Sequence, residues 1–267
     1  MKKYFSLFRI RFINSLQYRV ALLGHIFKNF IFAIMEILVY AAIYRTDAFS
    51  LPMDFSQLVS YVWMSQTFII LFAVVFGDGE IYSAISSGEV VYDLVRPIGL
   101  YGKWFSQSAA NRISFAAINC LPLIIVAAFM PEPYRLNLQM PLGQIAMFLI
   151  SAVLAFLVVV AFAMIMYVSL FYIISQRGVR IIVTAVTSFL SGGEIPLVFF
   201  PDRILAVVKL LPFAAMQNMP LQIFTGVISG MDAVKGIGFQ LFWLAALCIL
   251  GQLGMRHALK RVIVQGG

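Results

Sequence analysis

Two carboxylates stand where a carboxylate is expensive. Glu36 lies inside the apolar run from about Val20 to Tyr44, and Glu194 lies inside "SGGEIPLVFFPDRILAVVKLLPF", Ser191 to Phe213. An ionisable group at membrane depth is expected to face a cavity, a partner helix or a transport path, where it handles a proton, a cation or a hydrogen-bonding substrate. Gly192, Gly193 and Pro196 surround Glu194 and make a continuous straight helix unfavourable there. Broken backbone in a membrane is tolerated only where protein or water covers its polar groups. Two plainer roles are open to Glu194: capping the next helical turn, or pairing with Arg203. Phe199 and Phe200 are candidates for an outer aromatic gate, with ordinary packing as the alternative. Glu36 lies eight residues, about two turns, beyond Lys28. A direct pair would be strained, which leaves a role in the path or a helix interface, or a structural hydrogen bond.

A second polar constellation is the loop "GDGEIYSAISSGEVVYDLVRPIGLYGKW", Gly77 to Trp104. Ile81, Ile85, Val91, Leu94 and Val95 recur at helical or near-helical spacing, Glu80, Glu89, Asp93 and Arg96 are polar, and Gly88 and Pro97 punctuate the segment. Short helices of this kind present a mixed surface to a soluble partner; the plain alternative is a solvated connection. "IGLYGKW" imitates a phosphate-binding loop, but that motif requires glycine at 97 and a hydroxyl residue at 104, where the chain has Pro97 and Trp104. No nucleotide site is legible, so any ATP chemistry is expected from another chain.

Other chemistry finds little support. The two histidines, His25 and His257, stand near opposite ends of the chain and form no HExxH-type cluster, so no metal site is expected. Cys120 and Cys248 each lie in apolar runs and read as small buried hydrophobes. A membrane-embedded hydrolase or transferase needs a nucleophile with a base, or a metal, and neither pattern is present.

The elements that must hold these residues are membrane helices. Of 267 residues, 62% are hydrophobic and 11% charged, against about 25% charged in ordinary soluble domains. Six spans are expected: about Val20–Tyr44, Leu58–Phe76, Ile113–Met130, Leu142–Ile174, Ile181–Phe200 and Gly236–Met255. The fourth run has 33 residues without a charge; as one helix it would reach roughly 50 Å, so it must tilt, protrude or bend. The segment between the last two spans is too interrupted to cross. At the N-terminus, residues 1–19 place Phe5, Phe8, Phe12 and Leu16 on one face among basic residues, as in an interfacial helix, and no cleavage site follows. With the N-terminus inside, 14 of the 19 basic residues fall in inner segments, which places both termini in the cytoplasm. The net charge of +8 is thereby explained as topology, and no nucleic-acid partner is expected. No inverted repeat is evident, and one transmembrane domain accounts for the chain.

The pairing of "ISSGEVVYDLVRPIG" with "GGEIPLVFFPDRILAVVKLLPFAAMQNMPLQIFTG" resembles bacterial ABC-type permeases of the type-2 exporter superfamily, the ABC-2-like components paired with an ATP-binding protein of the daunorubicin-resistance type. The likeness covers nearly the whole chain. It implies an all-α polytopic fold with six transmembrane helices, an interfacial N-terminal helix (1–19), a cytoplasmic coupling region (77–104) and a broken re-entrant segment (192–231). It also implies a transport subunit without enzymatic activity. The expected partners are two ABC ATP-binding subunits, which bind ATP and Mg, a second permease, identical or a sister chain, and the lipid bilayer of the bacterial inner membrane. The resemblance assigns ATPase coupling to about Glu80 to Arg96, with Glu80, Gly88, Glu89, Asp93 and Arg96 in contact roles; Arg177 and Arg180 are a second contact or simple topology charges. Glu194 departs from the family pattern, which has an apolar residue there. Export of a hydrophobic or amphipathic substrate is the function implied. The alternative is an ion-gradient-driven transporter using Glu36 and Glu194.

Overall fold

The computed structural model describes residues 9, 12–13, 19–45, 52–95, 98–173 and 176–260. The interfacial helix expected over residues 1–19 falls almost wholly outside them, as does Arg96. Ten α-helices lie in the described residues: α1 Arg19–Tyr44, α2 Phe55–Phe72, α3 Gly79–Ser87, α4 Val90–Leu94, α5 Leu100–Ala128, α6 Leu142–Ser169, α7 Gln176–Leu190, α8 Asp202–Val208, α9 Asn218–Phe224 and α10 Gly230–Leu259. Short 3-10 turns lie between α7 and α8, at Leu197–Phe199, and between α8 and α9, at Pro212–Ala215.

Five helices combine the length and apolarity needed to cross a membrane: Leu23–Tyr44 within α1, then α2, α5, α6 and α10. The expected fifth span, Ile181–Phe200, is not among them. In its place α7 has 15 residues, about 22 Å of helix, short of a ~30 Å hydrocarbon core. Its end is set locally: Gly192 adopts φ +77°, a left-handed conformation that ordinary residues avoid, and Pro196 follows. The fourth run also ends early. α6 stops at Ser169, and Leu170–Tyr172 turn through backbone bonds to Met166, Tyr167, Val168 and Ser169, so the 33-residue run is a 28-residue helix plus a turn.

The bundle has two ends. At the near end, α2 runs into α3 and α4, and α5 starts; at the far end, α1 meets α2 through the Tyr44 hydroxyl, which donates to the Met53 carbonyl at 2.6 Å. α6 and α10 run in the same direction and share the most extensive helix contact. Between them the chain must return to the far end. It does so through α7 and the broken segment, for Gln176 bonds the near-end Tyr82 carbonyl at 3.2 Å, whereas Gln57 and Gln144, at the far-end starts of α2 and α6, donate to carbonyls of Thr225, Ile223 and Phe224.

Two apolar clusters fill the bundle. One gathers Phe72, Ile81, Trp104, Tyr167 and Met255 at the near end; the other gathers Ala33, Trp63, Leu123, Leu221 and Phe224 toward the far end. Lipid is as apolar as these side chains, so close packing and interhelical hydrogen bonds hold such helices together. Buried Gln240 shows the second kind: its amide donates to the Ser151 and Ala215 carbonyls at 3.1 and 3.0 Å, tying α10 to α6 and to the Pro212–Ala215 turn.

Candidate functional site

Where α2 ends, the chain leaves the helix at Ala73 and must satisfy freed carbonyls. Arg112, on α5, reaches them. Its Nε donates to the Ala73 carbonyl at 3.0 Å and its Nη2 to that of Val74. Its Nη1 stands 3.0 Å from Asp78 Oδ2 and also donates to Ser108. The Tyr167 hydroxyl, on α6, donates to the same Asp78 oxygen. Both side chains of the ion pair have no solvent exposure. Asp78 in turn opens α3: its carbonyl accepts the amides of Ile81 and Tyr82 at 3.0 and 3.1 Å. One buried pair thus joins the end of α2, the start of α3, α5 and α6. A buried charge pair is a stiff joint, because losing one partner strands the other charge.

Tyr82 extends this joint to α7. Its ring stands edge-on to Tyr167 at 5.6 Å, and the Arg180 guanidinium lies over its face, 4.5 Å from the centroid. Burial first, and the Asp78 carboxylate second, raise the Tyr82 phenol above its ordinary range.

The residues singled out in the Gly77–Trp104 loop take distinct positions. Gly88 closes α3 at φ +77°, turning the chain so that α3 and α4 are separate short helices. The single apolar face expected from Ile81 to Val95 is consequently split: Ile81 and Val90 are buried, while Leu94 and Val95 are exposed. Glu80 accepts from Gln107 at 3.2 Å. Asp93 is ion-paired to Lys103 on α5, so it holds α4 against the bundle. Glu89 is exposed on the turn. With Tyr92, Leu94 and Val95 it forms the outermost surface of this region, Tyr92 being 73% and Val95 81% exposed. Lys103 and Trp104 already belong to α5. A cavity of about 320 Å³ lies between these helices, lined by Glu80, Glu89, Asp93, Lys103, Trp104 and Gln107.

Glu194 sits in the break after α7. Around it the freed carbonyls have partners on α2: Tyr61 Oη donates to Gly192 at 2.9 Å and Ser65 Oγ to Gly193 at 3.4 Å. Gln217 then donates to Ser65 Oγ at 2.6 Å. The Glu194 side chain is exposed and, among the described residues, forms no ion pair with Arg203. Glu36 of α1 accepts from Gln66 Nε2 at 3.4 Å and lies in electrostatic range of Glu194. The two intramembrane acids are thus brought to one region. Phe199 stacks on Tyr40 of α1 at 5.8 Å. Phe200 turns the other way, 8% exposed and 5.1 Å from Phe189.

Two hollows flank α7. One, about 220 Å³, runs between Ile69–Val75 and Thr184–Ser191, with Glu194 and Gln217 in its lining. The other, about 800 Å³ and wider, is lined by Val75, Gln176, Arg177, Arg180, Ile181, Thr184 and Ala185. Among the described residues no three His, Cys, Asp or Glu side chains are grouped to hold a metal ion.

Sequence reasoning passed over Asp78 and Tyr167 and counted Arg112 only as a topology charge. Their separations of 34 and 55 residues carry no periodic signal. The available hint was an arginine at the edge of an apolar run, where a charge needs a partner. The model of the family described as ABC-2 family transporter protein matches residues 30–266. No curated protein and no solved structure matches the chain.

Proposed function

The chain belongs to the ABC-2 family of transporter proteins, and from that premise we propose that it is the transmembrane permease of an ATP-binding-cassette exporter. In this reading separate ATP-binding subunits dock at the near end, which faces the cytoplasm, and supply all ATP and Mg binding. The permease works as a pair, with itself or a sister chain, in the bacterial inner membrane, and moves a hydrophobic or amphipathic molecule outward.

The observation that carries the coupling role is the Asp78 joint. A partner pushing on α3 and α4 acts on a short helix whose N-cap residue, Asp78, is fastened to α5 and α6. Displacement at the loop therefore moves long helices as rigid bodies. Glu89, Tyr92, Leu94 and Val95 offer the contact surface, and Arg96 continues the chain from it. Glu80, Asp93 and Gly88 serve from behind, by bracing and turning the two helices. Arg177 and Arg180 stand at the same end. Glu36, Glu194 and Phe199 line the far region where the path would open, with Phe200 packed behind it.

The test is purification of the tagged chain from its native membrane in mild detergent, followed by vanadate-sensitive ATP hydrolysis on the complex. An ATP-binding subunit that comes with the chain and hydrolyses ATP supports the reading. A chain that purifies alone and stays without hydrolysis in lipid nanodiscs overturns it. That outcome favours the second reading, a gradient-driven transporter, whose supporting observation is the proximity of Glu36 and Glu194.

A further inference from the structure

We read the two hollows beside α7 as one cleft: both are lined by Val75 and by Thr184, so the wide near-end opening borders the narrower space whose lining includes Glu194. Its chemistry changes along its length. The mouth carries Arg177 and Arg180, and neither is ion-paired to a carboxylate among the described residues. They lie in the first turns of α7, which hold no acidic residue, so the positive end of the helix dipole adds to their charge. Arg180 is held in place by the Tyr82 ring. Above the mouth come hydroxyls, Thr184, Thr187, Ser188 and Ser191; those of Thr187, Ser188 and Ser191 donate to carbonyls of α7 and keep acceptor capacity, whereas Thr184 makes no such bond among the described residues and can donate. An acidic side chain closes the far end.

The outer face of α7 has the opposite character. Ile182, Val186 and Phe189 are 41–64% exposed, an apolar stripe suited to lipid tails. The inner space of about 220 Å³ is smaller than the roughly 300–1,000 Å³ that encloses a whole small ligand. It has room for a polar head, with the tails left outside along the stripe.

We propose that this cleft takes the anionic head group of a membrane amphiphile, a phosphate- or carboxylate-headed lipid, entering from the near-end leaflet between α2 and α7. This rests on the permease reading above and names its substrate class. Two arginines attract the head at the mouth, the Thr184 hydroxyl above them donates to it, and Glu194 resists a bare anion at the top. Loading is thereby favoured at the near end.

The test uses the full chain with a photo-crosslinking benzophenone amino acid in place of Ser188, in phosphatidylcholine vesicles containing phosphatidylglycerol. The same probe in place of Ile182, on the lipid-facing stripe, is the control. Phosphatidylglycerol adducts at the Ser188 site are expected to exceed the bulk lipid ratio by roughly fivefold or more, as one to two basic residues near a surface supply, while the Ile182 site follows the bulk. Arg177→Gln with Arg180→Gln should return the Ser188 site to the bulk ratio, and Arg177→Lys with Arg180→Lys should retain the enrichment. Adducts that mirror the bulk at Ser188, or that ignore the double glutamine change, overturn the proposal. Equal displacement by free glycerol phosphate also overturns it, in favour of a water-soluble anion. The crosslink requires no ATP-binding subunit, so its failure is separate from failure of the complex to co-purify.

Discussion

Arg112 on α5 and Asp78, at the loop position that caps α3, stand 3.0 Å apart with neither side chain exposed to solvent. The Tyr167 hydroxyl shares the Asp78 oxygen. In a chain where only 11% of residues are charged, this pair occupies the junction between the membrane helices and the loop that would receive a partner.

Removing one member strands the other. Asp78→Asn is expected to destabilise the fold by about 3–5 kcal/mol, read as a lowered unfolding temperature in detergent. Asp78→Asn combined with Arg112→Gln should recover part of that loss, since no lone charge remains. Simple additivity of the two single changes would show that the residues do not act as a pair.

Gly88→Val tests the coupling assignment. Open space surrounds the glycine, so the penalty is backbone strain at φ +77°, about 1–2 kcal/mol, localised where α3 turns into α4. The variant should fold and insert, yet transport less substrate for each ATP hydrolysed by the purified complex. An unchanged ratio, here and in Glu89→Ala, would falsify the placement of the coupling surface.

At the break, Gly192→Ala would place a methyl carbon 2.6 Å from the Tyr61 hydroxyl oxygen, again at positive φ. The change should be markedly more damaging than Tyr61→Phe, which removes a hydrogen bond with a net worth of about 1 kcal/mol. Thermal unfolding of the two variants side by side gives the comparison; equal stability would mean the chain can relax around Gly192.

Glu36→Gln separates the two energy sources. The amide preserves a hydrogen-bonding partner for Gln66 and removes the ionisable group. ATP-driven export should keep its pH dependence, whereas a gradient-driven mechanism should lose proton coupling. Transport followed across pH in vesicles with and without an imposed gradient decides between them.

Legibility in the sequence followed the range of each signal. Membrane insertion and helix identity came through because hydropathy accumulates over about 20 residues, and α1, α2, α5, α6 and α10 each overlap a run marked out in advance, although α5 begins well before its run, at Leu100, and α10 extends past both ends of its own. The break near Glu194 was visible because Gly192, Gly193 and Pro196 act on their own backbone. The count of six spans was not secured, since hydropathy registers the apolar run across residues 181–200 but not that Gly192 turns it. Asp93 looked like a free contact residue because its partner Lys103 becomes near only once α4 folds onto α5.

By itself the amino-acid order determined a helical membrane protein with a polar loop after its second long helix and a broken segment before its last. Those properties come from local sums: transfer free energy, turn propensity and charge bias. Tertiary structure alone decided that Asp78, Arg112 and Tyr167 form one joint, that Glu36 and Glu194 share a region, and that the hollows beside α7, one lined by two arginines and the other by an acid, adjoin at Val75 and Thr184. Each of these depends on contacts between helices far apart in the chain. Such contacts leave no period in the sequence, because packing selects partners by proximity in space.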